Sequence, residues 1–185
     1  MASAFSHALL ALALGKVTRQ SSFPWRTVCL GMVCSVVPDL DVIGFYFGIA
    51  YGDLWGHRGL THSLLFAGVL SVLLVGLLYR EHPARVKAAV FFYLLLCTAS
   101  HGVLDAMTDG GLGVAFFSPL DTTRYFFSVR PIAVSPIGIS GFFSEGAFRV
   151  LASEAQWIWL PAAAAFVVLR TLQGFHSSRE RRSGR

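Results

Sequence analysis

Histidine and aspartate residues stand at helical spacing inside otherwise apolar stretches of this 185-residue chain. His101 and Asp105 are four residues apart, which places them on one face of a helix with their Cβ atoms about 5–6 Å apart. An imidazole nitrogen and a carboxylate oxygen so placed can bind one cation. Asp109 extends the same row by one turn. The spacing therefore predicts a site for a divalent cation.

Two further motifs place histidine and aspartate at the ends of apolar segments. Residues 38–41 read PDLD, and a proline ends the preceding helix, so that Asp39 and Asp41 can turn towards a bundle axis. Residues 57–62 read HRGLTH, where the glycine allows a turn that aims His57 and His62 inward. Mixed histidine and aspartate ligands favour zinc, manganese or iron over calcium.

The composition is that of a membrane protein. Hydrophobic residues make up 55% of the chain and charged residues 14%, and the mean hydropathy is +0.62, whereas an average soluble domain is about 25% charged. So few charges could not cover a soluble surface, and the composition also excludes a disordered chain or a coiled coil. The net charge of +5 indicates basic cytoplasmic loops, and we expect no nucleic-acid partner.

Five apolar segments predict an all-α polytopic bundle, over residues 3–15, 27–50, 63–79, 88–108 and 156–173. A hydrocarbon core needs about 20 helical residues, so the first segment is short, and Pro38 breaks the second. Residues 110–150 are rich in Gly, Pro and Phe and are predicted to form a lid or re-entrant loop on the outer face. We expect one domain over residues 1–175 and a basic cytoplasmic tail over 176–185.

The basic residues predict the orientation of these spans. Eleven of the fifteen Lys and Arg residues flank the same ends of the spans, and positively charged loops remain in the cytoplasm. The N-terminus is therefore expected outside and the C-terminus inside. On this topology the outer half of the bundle collects His7, Asp39, Asp41, His57, His62, His101, Asp105 and Asp109. A charge at mid-bilayer costs about 3 kcal/mol on insertion scales, so this clustering indicates function.

At these motifs the chain resembles a known family. The blocks SHALLALALGK, VPDLDVI, HRGLTHSLLF, SHGVLDAMTDGG and FFSPLDTTRYFF, between residue 4 and about residue 132, are similar to those of the YdjM-type inner-membrane metal-dependent hydrolases of bacteria. That family is also described as LexA-regulated or LexA-binding. The resemblance implies a multi-pass protein of the bacterial inner membrane that hydrolyses a substrate with the help of a metal ion.

A more distant likeness concerns the order of the ligands. The order His, Asp, His and then HxxxD is similar to that of the zinc phospholipase C and P1 nuclease group, whose zinc cluster cleaves phosphoesters. In that likeness the ligand positions are filled by His7, Asp39, His62, His101 and Asp105. The later His-x3-Glu pair of that group has no evident counterpart here. The likeness implies phosphoester chemistry.

These patterns give a hypothesis for the site. Asp41 or Asp109 accepts a proton or bridges a second ion, and Arg58 binds a substrate anion, with Arg124 and Arg130 as alternatives. Zinc, or manganese or iron in its place, activates a water molecule. A membrane site that opens outward suggests a phospholipid or another lipid phosphoester as substrate. The predicted metal ligands are His7, Asp39, His57, His62, His101 and Asp105.

Other classes of protein remain open at this point. A metal or proton transporter also uses intramembrane histidine and aspartate, although the inner halves of the last three spans are apolar, which disfavours a pathway through them. A non-catalytic membrane factor would fill every ligand position of its ion with protein, whereas a catalytic zinc keeps one position open. Histidine and aspartate residues that only form hydrogen bonds between neighbouring helices would give a similar sequence pattern. Membrane lipids are the expected partners, and the oligomeric state is left undetermined.

Overall fold

The computed structural model describes residues 1–17, 23–137 and 146–183, with side chains for 1–16, 23–137 and 146–172. Within these ranges there are helices and no β-strand, which confirms the all-helical prediction. A 3₁₀ segment, Val37–Phe47, follows the second helix, and a π-helical turn, Ala155–Trp159, joins the last two helices. The helices are α1 (Ala4–Val17), α2 (Trp25–Cys34), α3 (Leu64–Leu78), α4 (Ala84–Ala106), α5 (Ala147–Glu154) and α6 (Leu160–Ser183).

Local sequence signals explain where several of these helices begin. The Ser63 hydroxyl accepts a hydrogen bond from the Phe66 backbone N–H at 3.0 Å and caps the start of α3. Pro24 and Pro83 precede α2 and α4, at positions where a backbone N–H would have no helical partner. Pro38 lies in the first turn of the 3₁₀ segment, after α2 has ended. The break predicted at Pro38 is therefore present.

Five apolar segments of the structure match the five predicted spans. Three are long and apolar enough to cross a membrane, namely Trp25–Phe47, Ala84–Ala106 and Ala147–Leu172, and two are shorter, Ala4–Lys16 and Leu64–Leu78. Large apolar side chains on α3 and α6 are exposed, as expected of helices that face lipid rather than water. They include Leu65, Val72, Leu73, Leu77, Leu160, Val167 and Val168. The chain folds as a helical membrane bundle.

Helix α4 occupies the centre of the bundle and packs against α1, α2 and α3. Its Tyr93 lies in the main apolar cluster with Cys34 and Cys97, and the Tyr93 hydroxyl donates a hydrogen bond to the Ala11 carbonyl at 3.0 Å. Gly31 makes this approach possible, because a Cβ there would lie 2.5 Å from the Tyr93 ring. All three cysteines are free thiols.

Two long connections lie at the end of the bundle where α4 ends. The first, residues 48–59, carries Arg58 and is bound to the second, residues 107–137, by one backbone hydrogen bond and by hydrogen bonds of the Arg58 and Arg124 side chains. The backbone hydrogen bond runs from the Ala115 N–H to the Arg58 carbonyl at 3.0 Å. Residues 138–145 of the predicted lid lie outside the described residues. The described part of the lid therefore packs over the polar loop that precedes α3.

Two boundaries differ from the prediction. The last membrane segment begins at Ala147, nine positions before the predicted start at residue 156, because the polar face of α5 masks its helical pattern. Helix α6 continues through Ser183, so the backbone of most of the predicted tail is helical.

Candidate metal centre

Four separate elements place histidine and aspartate side chains in one buried region. Helix α4 supplies His101 and Asp105 from adjacent turns, and the 3₁₀ segment supplies Asp39 and Asp41. The loop before α3 supplies the two imidazoles of the HRGLTH motif, and α1 supplies the remaining one. The imidazoles of His7, His57, His62 and His101 are buried, as are the carboxylates of Asp39, Asp41 and Asp105.

Four donor atoms converge in the centre of this region. The Nε2 atoms of His62 and His101 are 3.0 Å apart. Asp39 Oδ1 lies 3.2 Å from His101 Nε2 and 3.9 Å from His62 Nε2. Asp105 Oδ2 lies 3.6 Å from His62 Nε2 and 4.0 Å from His101 Nε2. A tetrahedral ion with bonds of about 2.0–2.2 Å separates its ligands by about 3.3 Å, so this arrangement has the dimensions of a metal site.

Hydrogen bonds orient both imidazoles with Nε2 towards the centre. His101 Nδ1 lies 2.7 Å from the Ser35 carbonyl, and because a carbonyl only accepts, Nδ1 carries the proton and Nε2 presents its lone pair. His62 Nδ1 lies 3.2 Å from Asp41 Oδ2, which favours the same tautomer. Two lone pairs that face each other at 3.0 Å need a proton or a metal ion between them. The residues thus fit a cation, and a carboxylate behind a ligand histidine is a common support for metal sites.

Asp41 lies behind the histidines and does not face the centre. Its Oδ1 accepts from His57 Nδ1 at 2.7 Å, and its Oδ2 accepts from the Thr61 hydroxyl at 2.7 Å and the Arg58 N–H at 3.2 Å. The carboxylate was predicted to accept a proton or bridge a second ion. These contacts let Asp41 orient His57, and its carboxylate also lies with His57 and His62 in a second group that could hold a metal ion.

Arg58 is completely buried and is bound inside the protein. Its Nε donates to Asp105 Oδ2 at 3.1 Å, and its two terminal nitrogens donate to the Gly110 carbonyl and the Thr108 hydroxyl, both at 2.9 Å. Gly111 leaves room for the guanidinium, since a Cβ there would lie 2.7 Å from one of its terminal nitrogens. This position differs from the predicted role of holding a substrate anion, because the guanidinium is occupied.

The other predicted polar groups of the outer loop lie away from the centre. Asp109 accepts from the Val134 N–H at 2.8 Å and pairs with Arg149 at 3.0 Å, so it joins the loop to α5 rather than extending the ligand row. Arg124 donates to the backbone carbonyls of Tyr51, Asp53 and His57 and joins the two loops. Arg130 is exposed, with its guanidinium 4.6 Å from the Phe126 ring.

Two of the predicted ligand histidines retain nitrogen atoms without a hydrogen bond from any described residue. These atoms are Nδ1 and Nε2 of His7 and Nε2 of His57. Both side chains are fully buried, and an unsatisfied buried polar atom costs about 1–3 kcal/mol. The ring of His7 stacks on that of His101, with centroids 3.8 Å apart. Neither histidine places a ligand atom in the central group of four.

Glu154 is a buried carboxylate that the sequence motifs do not single out. It ends α5 and binds the start of α1, where it accepts from the backbone N–H and hydroxyl of Ser3 and from the Ser6 hydroxyl. Trp159, in the adjoining π-helical turn, donates to the same Ser6 hydroxyl at 2.8 Å. A single acidic residue two positions before the predicted last membrane segment was the available signal, because such a residue requires polar partners when it is buried.

The charges of the centre favour an additional cation. The three carboxylates outnumber the one guanidinium beside them, that of Arg58, so that protons or a further cation are needed to balance their charge. Burial alone would lower the pKa of His62, which lies in the loop before α3, but the hydrogen bonds and charges of Asp105 and Asp41 raise it to about 9. Burial lowers the pKa of His57 in the same loop despite its bond to Asp41.

Fold and site together define a helical integral membrane protein with a buried histidine–aspartate cluster that could hold a metal ion. The chain belongs to the YdjM inner membrane protein family, whose model matches residues 1–177. It is 35% identical over 161 residues to inner membrane protein YbcI of Escherichia coli (strain K12), covering 87% of this chain and 92% of that protein. No solved structure matches it. The predicted family resemblance is confirmed, and the family places the chain in the inner membrane.

Proposed function

We propose that this chain is a membrane-embedded, metal-dependent hydrolase that acts on a phosphoester or lipid-like substrate from the extracytoplasmic side. The observation that supports it most is the convergence of donor atoms from Asp39, His62, His101 and Asp105 at distances of 3.0–4.0 Å. A divalent ion held there supplies a Lewis acid and a means of activating water at neutral pH. The donor set suits zinc, with manganese or iron as alternatives.

In this proposal His57 is the proton acceptor and Asp41 its positioning residue. Asp41 Oδ1 accepts a hydrogen bond from His57 Nδ1 at 2.7 Å. The other ring nitrogen, Nε2, has no hydrogen bond from the described residues. The lowered pKa of His57 keeps the imidazole neutral at pH 7, which is the form that accepts a proton. The His57 ring lies 5.3 Å from the His62 ring, centroid to centroid, and so borders the metal ligands.

A lipid-like substrate is supported by the apolar side chains exposed on the loops around the centre. Large exposed side chains of this kind are typical of an interface with lipid, where aromatic rings lie at the level of the headgroups. Arg130 is an exposed guanidinium of this region and is proposed to contact an anionic headgroup. The exposed side chains are Tyr46, Phe47, Trp55, Phe117, Leu120, Phe127 and Val129.

The same four donors also support a non-catalytic metal-binding membrane factor. Four protein ligands around one ion are typical of structural zinc, which has no open position. The nitrogen of His57 that has no hydrogen bond from the described residues lies beside these ligands and favours the hydrolase, because a purely structural site has no use for it. Activity separates the two proposals, since both require the bound ion.

The test combines elemental analysis with hydrolysis assays on the purified protein in lipid nanodiscs. The assays use chromogenic phosphate mono- and diesters and phospholipid vesicles. We expect a bound divalent ion, hydrolysis that stops with a chelator and returns with zinc, and loss of both ion and hydrolysis in His101→Ala. His82→Ala, which removes an exposed histidine at the other end of the bundle, should retain both.

His57→Gln separates metal binding from proton transfer. We expect this variant to keep the ion of the central site and to lose about 10²–10⁴-fold in the rate of hydrolysis. An ion that is retained by the wild type without hydrolysis of any substrate would favour the non-catalytic factor. A wild type that binds no divalent ion would contradict both proposals.

A further inference from the structure

We propose that the centre holds a second divalent cation, bound by His7 and bridged to the first ion by Asp105. This inference rests on the proposed function, because it adds an ion to the site formed by His62, His101, Asp39 and Asp105. It predicts a two-metal site and a doubly charged phosphate group as the ligand that such a site recognises.

His7 is the observation that points to a second ion. Its imidazole is completely buried, and neither ring nitrogen has a hydrogen bond from any described residue. Its Nε2 lies 3.6 Å from Asp105 Oδ1, which is longer than a hydrogen bond and close to the separation of two ligands on one ion. The nitrogen is thus placed as a ligand.

Asp105 presents its two oxygens to different neighbours. Oδ2 lies 3.6 Å from His62 Nε2, on the side of the first ion, and also accepts from Arg58. Oδ1 lies on the side of His7 and accepts from the Ala2 N–H at 2.8 Å. A carboxylate with one oxygen towards each of two histidine sites can bridge two ions.

The stacking of His7 on His101 allows two ions to lie close together. The rings are nearly parallel, at 18°, and their centroids are 3.8 Å apart. Lone pairs of an imidazole lie in the plane of its ring, so the two Nε2 atoms would bind ions in neighbouring, nearly parallel planes. This arrangement is compatible with the separation of about 3.5–4 Å between the ions of two-metal hydrolytic sites.

Asp39 supplies a further donor. Both of its carboxylate oxygens are buried and lack a hydrogen bond from the described residues. Its Oδ1 lies 3.2 Å from His101 Nε2 and is a ligand of the first ion in this proposal. Two divalent ions and the Arg58 guanidinium then exceed the charge of Asp39, Asp41 and Asp105 by two, which favours a dianionic phosphate group.

Metal stoichiometry and electron paramagnetic resonance of the manganese-loaded protein test this inference without an activity assay. We expect two ions per wild-type chain and the exchange-coupled spectrum of two adjacent manganese ions. His7→Phe keeps the stacked ring but removes both nitrogens, so we expect one ion and the six-line spectrum of isolated manganese. The control His82→Phe should behave as the wild type.

The outcomes separate this inference from the proposed function. One ion in both the wild type and His7→Phe, with a six-line spectrum, would refute the second ion and leave the first site intact. Two coupled ions in His7→Phe would refute the assignment to His7. The wild-type spectrum decides the question by itself if the variant does not fold, and a wild type without bound metal would overturn the proposed function as well. Inorganic phosphate should alter the coupled spectrum of the wild type; no effect of phosphate would contradict the proposed ligand.

Discussion

Some residues of the centre are candidate metal ligands and others support the fold. Arg58 belongs to the second kind. It is buried against Asp105 and binds Thr108 and Gly110, so it holds the end of α4 against the loop before α3. It also has a positive φ of 65°, a conformation that costs roughly 1–2 kcal/mol for a residue other than glycine. Its hydrogen bonds offset that cost.

Arg58→Met should therefore lower the free energy of unfolding by about 3–5 kcal/mol, because it leaves the buried Asp105 without its ion-pair partner. Thermal and denaturant unfolding in nanodiscs measure the change. Arg130→Met is the matched control, since Arg130 is exposed, and should change stability by about 0.5 kcal/mol at most. A stable Arg58→Met protein that has lost affinity for an anionic substrate would restore the role predicted from the sequence.

His62 should make metal binding depend on pH. The raised pKa of about 9 means that the metal-free protein carries a proton on His62 at neutral pH, and an ion must displace this proton. We expect zinc affinity to rise by about tenfold per pH unit between pH 7 and 9. Competition with a chromophoric chelator at several pH values measures it, and an affinity independent of pH would contradict it.

The stability of the metal-free protein should change in the opposite direction. A group whose pKa is higher in the folded than in the unfolded state stabilises the fold fully below its unfolded pKa, here 6.5. That contribution is lost as the pH rises towards 9. The contribution of His62 to the melting temperature of chelator-treated protein should therefore be largest below pH 6.5. His62→Gln should remove this part of the pH dependence.

Residue types and spacing predicted the grouping of the histidines and aspartates but not their hydrogen bonds. The four-residue spacing of His101 and Asp105 defines a helix face, so their proximity follows from local geometry. The contact between Glu154 and Ser3 joins residues 151 positions apart, and no local pattern encodes it. The internal role of Arg58 likewise depends on the path of a distant loop.

At the scale of elements, close packing between α2 and α4 depends on Gly31. A Cβ at this position would meet the Tyr93 ring at 2.5 Å, and Tyr93 cannot easily move because its hydroxyl binds α1. Gly31→Ala should destabilise the protein by about 1–3 kcal/mol through overpacking. Unfolding measurements in nanodiscs determine the change.

Gly68→Ala provides the comparison for this prediction. Gly68 lies inside α3 with nothing within 4 Å of an added Cβ, so alanine there should be neutral or stabilising by up to about 1 kcal/mol through helix propensity. Equal effects of the two substitutions would show that Tyr93 does not fill the space beside Gly31.

The lengths of the apolar runs and the positions of the prolines predicted the apolar helices well. The same features predicted the polar elements less well. The boundaries of α1, α3 and α4 follow from uninterrupted apolar runs and from capping or proline residues. The amphipathic α5 was missed because its polar residues resemble those of a loop until Glu154 is seen to be buried. The 3₁₀ geometry of Val37–Phe47 depends on tertiary contacts that hydropathy does not report.

At the scale of the whole molecule, the distribution of basic residues predicts which side of the membrane the centre faces. Ser128 lies in the loop near the centre, and Glu81 lies in the turn between α3 and α4 at the opposite end. We expect a membrane-impermeant maleimide to label Ser128→Cys in cells whose outer membrane alone is permeable. Glu81→Cys should be labelled only after the inner membrane is broken.

The wild-type chain is the baseline for this labelling, because Cys34 and Cys97 are buried and Cys29 is partly buried in a helix. Labelling of Glu81→Cys before that of Ser128→Cys would reverse the proposed orientation and place the centre on the cytoplasmic side. The bundle and its family would be unaffected by that outcome.

The link between Glu154 and the start of α1 has a consequence for biosynthesis. The ribosome makes Ser3 and Ser6 about 150 residues before it makes their carboxylate partner, so the nascent chain enters the translocon before this link can form. The start of the first helix can make these hydrogen bonds only after the segment that carries Glu154 has emerged. Prematurely terminated chains lack that link and are expected to be substrates for membrane proteases rather than partly active products.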